Sequence, residues 1–149
     1  MFAQLPMYQQ KGAAALNAKL DKTLHFAAHL GNPEDQFKSI HVAGTNGKGS
    51  IASGIASILK ASGYRVGLYT SPHLVRFNER IQIDGKEISD RRVVDAYNAV
   101  RHVHYGDREP TFFEFATAMA FHEFAANVFL FFLLPQCGIY GQAPVFGFR

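Results

Sequence analysis

Ser39-Ile40-His41-Val42-Ala43-Gly44-Thr45-Asn46-Gly47-Lys48-Gly49-Ser50-Ile51 is the stretch whose reading decides the fold. Its first five residues read as a buried strand, and Ile51, Ile55, Ile58 and Leu59 recur at helical spacing until Gly63 supplies a stop. Between strand and helix lies a glycine-rich turn. Glycines let a backbone fold tightly around an anion with its N–H groups inward, the positive end of the helix dipole points at the same place, and Lys48 adds a full charge. The expected guest is a nucleotide phosphate, held by Thr45, Asn46, Gly47, Lys48, Gly49 and Ser50. The stretch departs from the general G-x-x-x-x-G-K-[ST] loop, because Val42 stands at the first glycine and Gly49, not a hydroxyl residue, follows the lysine.

A second apolar segment, Tyr64-Arg65-Val66-Gly67-Leu68-Tyr69-Thr70, reads as another strand. Strand, loop, helix and strand then form a unit that implies a parallel sheet with a right-handed crossover. The strand runs into Ser71-Pro72-His73-Leu74-Val75-Arg76-Phe77-Asn78-Glu79-Arg80-Ile81. The pair of segments GTNGKGS and YTSPHL resembles the folylpolyglutamate synthase and dihydrofolate synthase family of the Mur ligase superfamily, from about residue 5 to about residue 125. The resemblance implies an α/β fold: a P-loop-containing, Mur-ligase-like parallel sheet flanked by helices. It also implies ATP and Mg²⁺ as cofactors, and ATP-dependent ligation of L-glutamate to dihydropteroate, a reduced folate or both. In that chemistry the γ-phosphate of ATP passes to a carboxylate, and the amine of glutamate displaces phosphate from the acyl phosphate. Lys48 is then the catalytic residue, stabilising charge on the phosphoryl group in transfer.

The same resemblance places Mg²⁺ on Ser71, near the nucleotide phosphates. Mg²⁺ takes near-octahedral oxygen ligation, so one hydroxyl needs phosphate oxygens and further ligands. The family pattern supplies a glutamate at the end of the next strand and a later histidine, but the gap-free position of that glutamate is Pro135. Thr111, Phe112, Phe113 and Glu114 resemble a stretch that lines the pterin pocket of bacterial dihydrofolate synthases, and aromatic walls suit a flat heterocycle. Plainer alternatives stand beside these readings. Ser71 reads outside the family context as a turn residue, and the 111–114 segment as a helix start with core packing.

With 149 residues, 48% hydrophobic and 18% charged, the chain has the composition of one globular domain. That is short for the family. We expect residues 1–126 to be the N-terminal part of the ATP-binding domain and 127–149 a divergent tail, from a frameshift, a mispredicted gene end or genuine divergence. The family's C-terminal glutamate-ligase domain is then absent. A net charge of +3 without a Lys/Arg block argues against nucleic acid as a partner. Cys137 is the lone cysteine, and the apolar run around 128–134 falls short of the ~20 residues of a membrane span. No signal sequence opens the chain, so cytoplasm, no membrane partner and a monomer at full length are the expectations.

Elsewhere the sequence predicts a helix over about 13–30, with Leu16, Leu20, Leu24 and Ala27 on one face and Gly31-Asn32-Pro33 ending it. A small hairpin turns at Asp84-Gly85. Ser89 caps a helix carrying Val93, Val94, Tyr97 and Val100 that closes near His104, and Thr111 caps another whose core residues are Phe112, Phe115, Ala116, Met119, Ala120 and Phe124. The apolar run at 128–134 reads as a strand. The histidines lack metal-ligand spacing, and among them His73 stands beside the Ser71 loop. Arg76, Asn78, Glu79 and Arg80 either orient folate or phosphate or pin the loop by mutual ion pairs. A small-molecule kinase or GTPase predicts a hydroxyl directly after the lysine, and a Mur-type peptidoglycan ligase lacks the run from Ser71 to Arg80. A catalytically silent fragment that binds nucleotide weakly stays open.

Overall fold

The computed structural model describes residues 21–42, 44, 46–103, 110–127 and 130–133, with the backbone alone at 21, 22 and 130–133. Thr45, Leu16, Leu20, His104, the loop 105–109 and the tail from 134 onward, with Pro135 and Cys137, lie outside them. The first described helix, α1 (Asp21–His29), ends where Gly31 and Asn32 take φ of 77° and 50°. Phe26 and Ala27 bury its inner face, whereas Leu24, expected on that face, is 54% exposed.

β1 (Lys38–His41), α2 (Lys48–Ala61) and β2 (Val66–Tyr69) form the predicted strand-loop-helix-strand unit. β3 (Ile81–Ile83) and β4 (Lys86–Glu87) make the hairpin, with both turn residues, Asp84 and Gly85, at positive φ as a tight right-twisted turn requires. Asp84 fastens that turn to the sheet, accepting from the Val66 amide through Oδ1 at 2.9 Å and from Lys60 Nζ through its carbonyl at 2.7 Å. α3 (Asp90–Val100) follows, then α4 (Phe112–Ala125) and β5 (Leu130–Leu133).

The sheet order is β1-β5-β2-β3-β4. β5 runs parallel to both neighbours, and the hairpin extends this parallel core antiparallel on the β2 side. Residues 130–133 of the apolar run thus form a strand, and an interior one. In register, His41, Leu133 and Tyr69 stand in one row, so β1, β5 and β2 end level.

Side chains alternate across β2 as a strand dictates. Val66 and Leu68 meet α2 through Ala52, Ile55, Ala56 and Leu59, a face at helical spacing. Ile51 and Ile58, which the spacing alone puts on the same stripe, are more than half exposed. Tyr69 joins the larger core on the opposite face, built from α1, α3, α4 and β3. There the expected core residues of α4 are all buried, while Val94 of α3 is exposed and Ala96 takes its place inward. Arg92 and Glu123 join α3 to α4 with 2.6 Å between N and O, and burial holds the Glu123 carboxyl above its usual range.

Gly67 lies under the Phe124 ring, and a Cβ at that position would stand 2.5 Å from ring carbons. Helix α4 packs this close to the sheet only because the residue has no side chain. Gly67→Ala is expected to lower stability by about 1–3 kcal/mol, the usual cost of overpacking a filled core; urea unfolding measures it, and an unchanged midpoint would contradict the contact.

Candidate functional site

β1 and β2 end in the same row with β5 between them, so the loops that follow them leave the same edge of the sheet. Two interstrand spacings separate their strands, about 10 Å. Open α/β sheets bind ligands outside this carboxyl edge.

The first loop reaches α2 through Gly47, whose φ of 74° puts it in the left-handed region. A Cβ there would meet nothing within 4 Å, so backbone conformation rather than space demands the glycine. No side chain caps α2. By contrast Ser89 accepts from the Arg92 amide at the start of α3, and Thr111 from the Glu114 amide at the start of α4. The first amides of a helix lack intrahelical partners, and at α2 those of Gly49 and Ser50 therefore face the loop side, where an anion is the natural acceptor. Lys48 Nζ donates across the loop to the Gly44 carbonyl at 2.7 Å, a neutral acceptor that a phosphate oxygen outcompetes. Asn46, Gly47, Gly49 and Ser50 are exposed around it.

The second loop is held by its own polar residues. Glu79 accepts from the amides of Leu74, Val75 and Arg76 at 2.7, 2.9 and 2.6 Å, and these bonds draw its carboxyl below the usual glutamate range. Asn78, buried, donates to the Ile88 carbonyl and to Asp90, which also pairs with Arg76 at 2.7 Å. The Thr70 amide donates to the Arg80 carbonyl at 2.9 Å and closes the neck. For Arg76, Asn78 and Glu79 the pinning role therefore prevails.

Arg80 is different. Its side chain is 2% exposed, yet among the described residues it has no ion pair with a carboxylate. Nε donates to His73 Nδ1 at 2.6 Å and Nη1 to Ser71 Oγ at 3.0 Å, while the guanidinium stands 4.8 Å from the centre of the Phe112 ring. Phe77 and His73 pack their rings against Phe112 at 6.2 and 6.4 Å. Partial burial and the adjacent Arg80 charge lower the His73 pKa, with Glu79 opposing.

The 111–114 segment divides. Glu114 accepts from the Thr111 amide and hydroxyl at 2.7 and 2.8 Å, which together with the Thr111 bond to the Glu114 amide forms a capping box. These two residues start α4. Phe112 stands in the Arg80 cluster, and Phe113 lies partly buried beside Tyr69.

As a Mg²⁺ site the described residues are incomplete. Ser71 offers one hydroxyl oxygen already accepting from Arg80, and no group of three His, Cys, Asp or Glu among the described residues is placed to hold a metal. β5 ends at Leu133 between the two loops, and Pro135 lies beyond the described residues.

The chain is 50% identical over 101 residues to folylpolyglutamate synthase of Lacticaseibacillus casei, a match covering 64% of this chain and 24% of the relative. It is 41% identical over 128 residues to the dihydrofolate synthase/folylpolyglutamate synthase of Bacillus subtilis, covering 83% and 30%. The structure matches that of Mycobacterium tuberculosis folylpolyglutamate synthase complexed with ADP, with a TM-score of 0.76 at 33% identity, over 85% of this chain and 31% of that one. Over this span the chain is a homologue of the folylpolyglutamate and dihydrofolate synthases. It spans about a quarter to a third of the length of these synthases. No protein-family model matches it. Like them it has a Mur-ligase-like α/β fold, as the resemblance of its GTNGKGS and YTSPHL segments implied.

Glu79 and Arg80 acquire their roles only in the fold. The spacing of Glu79 three residues after Arg76 is that of a helix cap and was the one signal available for its clamp; nothing in the sequence marks Arg80 for burial. Because its folded-state pKa is depressed, Glu79 contributes loop stability that is complete above the unfolded carboxylate value and is lost as pH falls through the folded one. The amide resonances of Leu74, Val75 and Arg76 are expected to titrate together with a midpoint below the ordinary glutamate value of 4.5. A midpoint at or above it would dissolve the clamp.

Proposed function

We propose that this chain is the nucleotide-binding part of an ATP-dependent, amide-forming ligase that joins L-glutamate to dihydropteroate, a reduced folate or both. The observation that carries the reading is the uncapped start of α2 behind Gly47, with Lys48 folded over the loop, in a chain homologous to the synthases. ATP binds with its phosphates on the loop 45–50, and the ADP complex of the M. tuberculosis relative supports this. Thr45 falls outside the described residues and keeps its assignment from sequence.

The γ-phosphate passes to the substrate carboxylate and leaves ADP and an acyl phosphate. The amine of glutamate then attacks the acyl carbon, phosphate departs, and the nitrogen gives up a proton. Lys48 and the amides of the α2 first turn balance charge on the phosphoryl group during transfer. Ser71 is the protein's hydroxyl toward Mg²⁺, which supplies charge neutralisation at the phosphates when bound. The pterin lies along Phe113, the partly buried ring of the segment, while Phe112 is buried against Arg80 and Thr111 and Glu114 fix the backbone of that wall. Among the described residues no helix is long and apolar enough to cross a membrane, and we place the enzyme in the cytoplasm as a monomer.

The test is calorimetric titration of the chain with ATP, and the expected outcome is binding. Lys48→Met is expected to weaken it by about tenfold or more, since a hydrogen bond to a charged group is worth roughly 1.5–3 kcal/mol. Equal affinity in the variant would remove the phosphate-loop reading. In the whole protein, Ser71→Ala is expected to raise the Mg²⁺ concentration needed for turnover, and an unchanged metal titration returns Ser71 to a turn role. Mass spectrometry of mixtures containing ATP, Mg²⁺, glutamate and dihydropteroate or tetrahydrofolate detects the added glutamyl group. The 149 residues by themselves are expected to make no product, and product from them would show that they are catalytically sufficient.

A further inference from the structure

Arg80 is the largest fully buried side chain among the described residues, and it sits at the ligand-binding edge of the sheet rather than in the core below it. A buried guanidinium without a carboxylate partner is costly unless its N–H groups are satisfied and its charge serves some other group. The groups in contact with it are neutral acceptors and rings, His73, Ser71, Phe112 and the buried Tyr69, while the Glu79 carboxylate acts on it from beyond ion-pair distance and is committed to the amides of Leu74, Val75 and Arg76. Such an arrangement leaves positive charge in a site of low dielectric.

The direction of the bonds fixes the chemistry of both acceptors. Arginine has donors and no acceptor, so a bond from Nε to His73 Nδ1 requires a lone pair on Nδ1 and puts the ring proton on Nε2. In the same way Nη1 occupies a lone pair of Ser71 Oγ and leaves the hydroxyl proton to point elsewhere. His73 is thereby made a donor on the same sheet edge as the loop that we read as phosphate-binding, and Ser71 keeps its second lone pair for a metal.

The geometry points to Arg80 as a positioning residue that fixes His73 as the Nε2–H tautomer, so that the ring presents a donor to a phosphate oxygen of bound ATP, and that orients Ser71 by one of its two lone pairs. This deepens the function proposed above and rests on it for the identity of the anion. The planar fork is essential, because a lysine ammonium at this place carries the charge but does not reproduce the two fixed donor directions. Phe112 holds the guanidinium plane through its ring face.

The experiment is ¹⁵N–¹H correlation spectroscopy of the histidine rings in the full chain at a pH where they are neutral, with the His73 signals identified by their loss in His73→Gln. A single Nε2–H form is expected; Nδ1–H, or a mixture of the two, overturns the inference, and this holds even where no Arg80 variant folds. Arg80→Lys, checked for folding by its thermal melt, is expected to give mixed tautomers at His73, and retention of the pure Nε2–H form overturns the role of Arg80. A non-hydrolysable ATP analogue with Mg²⁺ is then expected to shift the His73 Nε2 signal together with the Gly47 to Ser50 amides, and to bind about tenfold more weakly to the Lys variant. Shifts at those amides without one at His73 defeat the inference and leave nucleotide binding intact. Silence at both defeats the nucleotide reading itself.

Discussion

The placement of β5 between β1 and β2 is the constraint on which the site depends. Three parallel strands that end in one row bring two loops, distant in sequence, to a common edge and keep them one strand apart. Hydrogen bonding across the sheet, rather than any contact between the loops, sets that spacing. Each loop is then stabilised separately: the first by glycine conformations and the Lys48 bond to Gly44, the second by the Glu79 carboxylate and the buried Asn78.

The two loops divide the electrostatic work. At the first, the donors are backbone amides at a helix start, and their direction is fixed by the helix itself. At the second, on the reading proposed above, the donor is the His73 side chain, and a side chain needs others to orient it. Arg80 supplies that support, bonded to His73 and seated on the Phe112 ring, which Phe77 and His73 flank. One half-buried lysine and one buried arginine thus put positive charge on the two loops of this edge.

Much of this was legible in the sequence because it depends on local rules. The strand, glycine turn and helix around Lys48, the Asp84-Gly85 hairpin, and the Ser89 and Thr111 caps follow from backbone preferences of a few adjacent residues. Sidedness was harder. Leu24, Ile51, Ile58 and Val94 fit apolar stripes by spacing but are exposed, because the faces their helices bury are those carrying Phe26, Ala52 and Ala96. Loop residues Arg76, Asn78, Glu79 and Arg80 admitted two roles on paper, and only the three-dimensional course of the loop separated three pins from one buried cation.

The contact between Gly67 and Phe124 reaches further than core packing. Phe124 lies near the end of α4, and Phe112, which backs Arg80, opens the same helix twelve residues earlier, about 18 Å away along its axis. A rigid rod seated at one end transmits a small tilt to the other as a lateral displacement. The depth of one ring over a glycine in the sheet therefore sets the height of another ring beneath a guanidinium, so the floor of the domain calibrates its mouth.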